Sequence, residues 1–126
     1  MEGINIQKFE NGAIREKKEG KGFFKYMPPK ALMRLADRYE YGARKYGASD
    51  NFKKGLSCED CWDSAVRHLV KYLDGDNSED HLAACVWNCF TIMEMEMNNP
   101  KYQDIDTRKR YHMKSGDFDY KNKEVK

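Results

Sequence analysis

Four carboxylates crowd into seven residues at Asp74, Asp76, Glu79 and Asp80. Like charges this close repel, and a divalent cation is one physical reason to keep them together. The other reading is a solvated turn followed by acids at a helix start, where the helix dipole favours negative charge. On either reading, removing one acid is expected to relieve repulsion. Asp37 and Glu40 stand three apart and are surface neighbours if helical. On a helical wheel Glu40 borders the apolar stripe, so it is expected to approach the acidic cluster from a facing helix. Among the cations, the planar fork of Arg67 suits phosphate oxygens, and Lys45 can serve as a point charge. Asp60, Asp63, Arg67 and Lys71 also read as ordinary surface pairs at i,i+4. His81 and Asn88 lie seven apart in the most apolar segment, nearly in line on one helix face. A buried Asn must find partners. That polar line is therefore either a structural network or a base-recognition pocket.

The elements that must position these groups are helical. Pro28-Pro29 suits the start of a helix. Leu32, Leu35, Ala36, Tyr39 and Ala43 then recur at three and four, which predicts an amphipathic helix that Gly47 closes. Ser57 is an N-cap, with Glu59 and Asp60 in the first turn. The helix it opens is expected to run to about Leu73, with Trp62, Ala65, Val66, Leu69 and Leu73 facing inward. After the break at Asp74–Ser78, Ser78 is expected to cap a third helix. From Leu82 to Met93 that helix is apolar nearly all round, as for a helix buried by neighbours or by a partner subunit. Residues 1–27 read as a polar ordered loop or arm without strand alternation, 28–98 as the helical core, and 99–126 as a charged tail. The four aromatics of that tail suggest that it packs on something. A single domain is expected, all-α: a small helical bundle whose core is completed by oligomerisation.

Composition narrows the classes of function. The 126 residues carry 23 Lys+Arg and 21 Asp+Glu, a net charge of +2. That gives no default reason to expect a nucleic-acid polymer or an anionic membrane as partner. No apolar run reaches the roughly 18 residues of a membrane span, and the first twenty residues show no apolar core of a secretory signal. The cysteines fall in two helically spaced pairs, Cys58/Cys61 and Cys85/Cys89. Cys58-Glu-Asp-Cys61 has a zinc-knuckle spacing, but the second pair does not, so structural thiols in a reducing cytoplasm are expected.

Taken in order, GKG-x₄-MPPKAL, E-x-GARKYG, N-F-KKG, DSAVRHL-x-KYLDG and EDHLAACVWN resemble the phage and bacterial dATP/dGTP diphosphohydrolase-like family. That family is grouped with the MazG-like all-α NTP pyrophosphohydrolases. The resemblance implies a cytoplasmic homo-oligomer, in the host cytoplasm if phage-encoded. It would cleave a dNTP to the monophosphate and pyrophosphate with Mg²⁺ or Mn²⁺. Carried over by position, it implies Glu40, Glu79 and Asp80 as metal ligands and Glu40, Asp76 and Asp80 as catalytic acids. Lys45, Tyr46, Asn51, Arg67, His68, His81 and Asn88 would bind substrate. This chain departs from the pattern at Phe23, where a basic residue is expected, and has Asp37 with Glu40 in place of an E-x-x-E pair. The rival reading is a phage nucleotide-binding protein that sequesters a cyclic-nucleotide or ADP-ribose-type signal without cutting it.

Overall fold

A computed structural model describes residues 6–17, 20–47 and 51–109. The chain divides into two compact units, one built on the residues up to Pro28 and the other starting at Pro29. In the first, strand β1 (Ile6–Lys8) pairs antiparallel with β2 (Ile14–Glu16), Gln7 opposite Arg15. Gly12, at φ +87°, supplies the left-handed residue of the connecting turn. A 3-10 turn follows at Phe24–Tyr26, with the Phe23 and Tyr26 rings 5.4 Å apart. The short hairpin corrects the expectation of a loop without strands. Three-residue strands are too short to show a period of two in the sequence.

The second unit is the helical core: α1 (Pro29–Tyr46), α2 (Cys58–Leu73) and α3 (His81–Asn98). The fold is therefore all-α with one minute sheet. Gly47, at φ +70°, ends α1 as expected. The Ser57 hydroxyl accepts the Asp60 N–H at 3.2 Å and caps α2. The third cap differs from expectation. Asp80, not Ser78, caps α3 by accepting the Ala83 N–H at 3.1 Å. Ser78 instead gives its N–H to Asp76 at 2.8 Å, within the turn.

Helices α2 and α3 form the main contact, and α1 lies against α3. The buried stripe of α2 is Cys58, Cys61 and Ala65, and α3 buries Ala83 and Ala84. Small side chains let the two backbones approach closely. They also displace the bulky residues expected to face inward: Trp62, Val66, Leu69 and Leu73 are exposed, Leu73 by 74%. On α3 the line that holds His81 and Asn88 is buried together with Thr91, whereas Val86, Phe90, Met93 and Met97 are exposed. Burial pushes the Cys58 and Cys61 thiols up to about 11, so both stay protonated and unreactive at neutral pH.

The first residues of the expected tail are a built strap. A 3-10 turn at Pro100–Tyr102 leads to buried Gln103, whose amide donates to Glu96 at 3.0 Å. Asp104 accepts the Ser57 hydroxyl at 2.5 Å and the Glu59 N–H at 2.8 Å, extending the cap of α2. The Tyr102 ring lies over Gly55, where a Cβ would stand 2.1 Å from ring carbons. Gly55 also has φ +92°, so the position demands glycine twice over. Tyr111, Phe118 and Tyr120, expected to anchor the tail, lie outside the described residues.

Candidate functional site

Helices α1 and α2 each place residues at i, i+4 and i+7 on one cleft. Helix α1 contributes Arg38, Gly42 and Lys45, with Tyr46 beside them. Helix α2 contributes Ser64, His68 and Lys71. Trp87 and Asn88 come from α3, and Glu79 from the turn before it. These residues line an open cleft of about 260 Å³. Gly42, without a side chain, keeps the α1 wall low.

The cleft is cationic. Arg38 donates to Glu79 Oε1 at 3.0 Å and lies 4.6 Å from the Tyr41 ring. Burial alone would raise the Glu79 carboxyl, but the Arg38 hydrogen bond and charge hold it below its ordinary range. Lys45 and Lys71 have no carboxylate partner among the described residues. Lys45 Nζ lies 5.3 Å from the Tyr46 ring centroid. Asn88 Nδ2 donates to the Ala84 carbonyl at 2.9 Å and the Ser64 hydroxyl at 3.3 Å.

Behind the lysines, two imidazoles meet. His68 Nδ1 lies 2.8 Å from His81 Nδ1 and 3.9 Å from Glu79 Oε1. Burial pushes the His68 imidazole down despite Glu79, and Arg38, His81 and Arg67 push the same way. His81 is 3% exposed, and its Nε2 is a buried polar atom without a hydrogen bond, 3.4 Å from Asp76 Oδ2. The Ser78 hydroxyl and N–H hold the Asp76 carboxyl down to about 2. One donor atom from each of His68, Glu79 and His81 falls within 4.8 Å of the others, the sole such His/Cys/Asp/Glu group among the described residues. Two imidazoles and a carboxylate are a donor set that fits a divalent cation.

The structure thus brings Lys45, Tyr46, His68, Glu79 and Asn88 into one cleft, with His81 and Asp76 behind it. Asn51 lines a smaller adjoining hollow with Phe52, sharing Gly42, Tyr46 and Trp87 with the cleft. Other expected residues lie apart. Glu40 is exposed and takes Arg44 at 2.6 Å, so it does not face Glu79 or Asp80. Arg67 points outward and pairs with Asp63 at 3.1 Å. Asp80 is held by Arg34 on both oxygens. Instead of gathering round one cation, Glu40, Glu79 and Asp80 each hold a different arginine. Arg38, Ser64, Lys71 and Trp87 were missed in the sequence. The signal for them was the i, i+4, i+7 spacing of 38-42-45 and 64-68-71.

A small all-α bundle whose lysine-rich cleft is flanked by aromatic rings has the character of a site for an anionic, ring-bearing ligand. The chain belongs to the family described as dATP/dGTP diphosphohydrolase, N-terminal, whose model matches residues 11–105. No curated protein and no solved structure matches it. Among the described residues no helix is long and apolar enough to cross a membrane.

Proposed function

We propose that this chain is a divalent-metal-dependent pyrophosphohydrolase of deoxynucleoside triphosphates of the dATP/dGTP type. The observation that carries this reading is the convergence of Lys45 and Lys71, neither paired with a carboxylate, on a cleft that also holds Tyr46, Trp87, Ser64 and Asn88. Two lysines with Arg38 suit a polyphosphate. The aromatic pair suits the base or sugar, and Asn88 and Ser64 offer polar atoms to its edge. Water attacks at a phosphorus, the α–β anhydride bond breaks, and the products are the monophosphate and pyrophosphate. Such a transfer needs charge neutralisation and an aligned water more than covalent help. A bound divalent cation, held at Glu79 with its neighbouring imidazoles, supplies both charge neutralisation and a more acidic water. Lys45 and Lys71 would hold the phosphate oxygens. Asp76 would orient His81, and Asp80 would anchor the start of α3.

A second reading is binding without hydrolysis. It is favoured by the three arginines that occupy Glu40, Glu79 and Asp80. Incubating the protein with each dNTP and Mg²⁺ or Mn²⁺, then resolving products by ion exchange, separates the two. Pyrophosphate release from dATP or dGTP supports the hydrolase. Tight nucleotide binding without turnover of any dNTP supports sequestration.

A further inference from the structure

We propose that His68, Glu79 and His81 form a binding site for one divalent transition-metal ion, with Asp76 orienting His81 behind it. Its selectivity runs toward ions such as Mn²⁺, Co²⁺ or Zn²⁺ and away from Mg²⁺.

The geometry rests on three distances: His68 Nδ1 to His81 Nδ1, 2.8 Å; His68 Nδ1 to Glu79 Oε1, 3.9 Å; and His81 Nε2 to Asp76 Oδ2, 3.4 Å. Two imidazole nitrogens at ~2.0–2.1 Å from one ion, at a right angle, stand about 3 Å apart. The two Nδ1 atoms are within a few tenths of an ångström of that bite. Two imidazoles and one carboxylate fill three positions of an ion and leave its others open. Here that open side is the cleft, because His68 and Glu79 line it and buried His81 does not. Mg²⁺ prefers oxygen donors throughout, whereas imidazole suits the later first-row ions.

Asp76 supplies the independent sign. A metal-bound histidine ordinarily gives its other ring N–H to a carboxylate, which fixes the tautomer. His81 Nε2 is buried, has no hydrogen bond, and faces the Asp76 carboxylate from just beyond bonding range. A proton on Nε2 satisfies that carboxylate and leaves the Nδ1 lone pair directed at His68. Without metal, His68 Nδ1–H then donates to His81 Nδ1. With metal, His68 moves its proton to Nε2, so both Nδ1 lone pairs meet the ion and no net proton is lost. Arg38 shares the Glu79 carboxylate and balances its charge in the absence of the ion.

As the metal centre of the hydrolysis proposed above, this site rests on that reading; as a site for the ion alone, it is measured without nucleotide. The full chain is titrated with Co²⁺ and followed by visible absorption, with circular dichroism melts as the control for folding. The expected result is one Co²⁺ per chain with a ligand-field spectrum, no sulfur-to-cobalt charge-transfer band, and no displacement by excess Mg²⁺. His68→Gln and Glu79→Gln are each expected to weaken binding at least tenfold, and Asp76→Asn by about 10–100-fold. If His81→Ala fails to fold, the half-buried His68 and Glu79 variants decide. Absence of Co²⁺ binding, displacement by Mg²⁺, a thiolate band assigning the ion to Cys58 and Cys61, or undiminished binding in His68→Gln and Glu79→Gln overturns the site. Hydrolysis of dNTPs with Mg²⁺ alongside failed Co²⁺ binding would overturn this site and leave the proposed function standing. Specific Co²⁺ binding with no turnover of any nucleotide would do the reverse.

Discussion

Arg34 on α1 grips both carboxylate oxygens of Asp80 at 2.7 Å, and the same carboxylate caps α3 through the Ala83 N–H. One side chain thus fastens two helices and ends one of them. The Arg34 hydrogen bond is the largest reason that the Asp80 carboxyl lies below its usual range. Seen only as one of four crowded acids, Asp80 was expected to be a source of repulsion, with the fold surviving its removal. The structure instead pairs its charge with Arg34 and gives it a capping bond. Asp80→Ala loses a cap worth about 1 kcal/mol and a partly exposed ion pair worth a few tenths more. Asp80→Asn keeps a capping oxygen and loses mainly the charge. Urea unfolding at neutral pH should therefore rank wild type above Asp80→Asn above Asp80→Ala. An Asp80→Ala as stable as wild type would remove Asp80 from this structural role.

Acid should weaken the fold through the same turn. The Asp76 carboxyl is held down to about 2 by Ser78, and Glu79 and Asp80 are also lowered. The native state holds these protons less tightly than the unfolded chain, so between the two pKa values the unfolded chain binds more of them. The stabilisation is complete above the unfolded value near ~4 and is lost as pH falls toward ~2. Through the lowered His68 imidazole, melting temperature should begin to fall below the unfolded histidine value of ~6.5, and through the three carboxylates it should drop further between about pH 4 and 2. Asp76→Asn should melt lower than wild type at neutral pH and converge on it near pH 2. Parallel curves for the two proteins across that range would contradict the assignment.

What could be read in the sequence was what local physics decides. Ser57 as a cap and Gly47 as a terminator depend on a few neighbouring backbone groups, and both stand where expected. Ser78 and Asp80 are two residues apart and either can cap; only the Ala83 N–H decides between them. The apolar stripe of α2 was visible, but its partner was not. A wheel shows that Trp62, Ala65, Leu69 and Leu73 share a side, not that Ala65 alone of these, with Cys58 and Cys61, will be buried. The cleft has the same difficulty. Lys45, His68 and Asn88 were legible through the family resemblance. Arg38, Lys71 and Trp87 join them only where three helices meet, and periodicity describes one helix at a time. The choice of Arg38 and Arg34 by Glu79 and Asp80 is likewise tertiary, whereas Glu40 with Arg44 is a local i,i+4 pair on α1.

The exposed bulky residues predict assembly. Val66, Leu69, Val70 and Leu73 on α2, with Val86, Phe90, Met93 and Met97 on α3, lie open in the single chain. The core beneath them is built mainly of small residues and Met95. Large exposed apolar surface on a helical bundle marks an interface, and a second copy is the simplest occupant. Light scattering at micromolar concentration should give a dimer or higher oligomer. Leu69→Asp combined with Met93→Asp should reduce that mass while helical circular dichroism is retained. A strict monomer for wild type would refute it.

The phosphate site separates the cleft from the outer surface of α2. Lys45 and Lys71 line the cleft without carboxylate partners among the described residues, whereas Arg67 is exposed and held by Asp63 at 3.1 Å. A charge-assisted hydrogen bond to phosphate contributes about 1.5–3 kcal/mol, or roughly 10–100-fold in Kd. Lys45→Ala and Lys71→Ala should therefore each weaken binding of dATP, measured by equilibrium dialysis without metal to prevent turnover, by at least about tenfold. Both should also flatten the dependence of binding on salt, because each removes a charge that salt screens. Arg67→Ala should leave Kd and the salt dependence nearly unchanged, because its guanidinium is already committed to Asp63 and faces away from the cleft. Loss of affinity in Arg67→Ala equal to that in the lysine variants would move the phosphates to the outer face of α2. It would also return Arg67 to the phosphate-binding role that its planar fork suggested in the sequence.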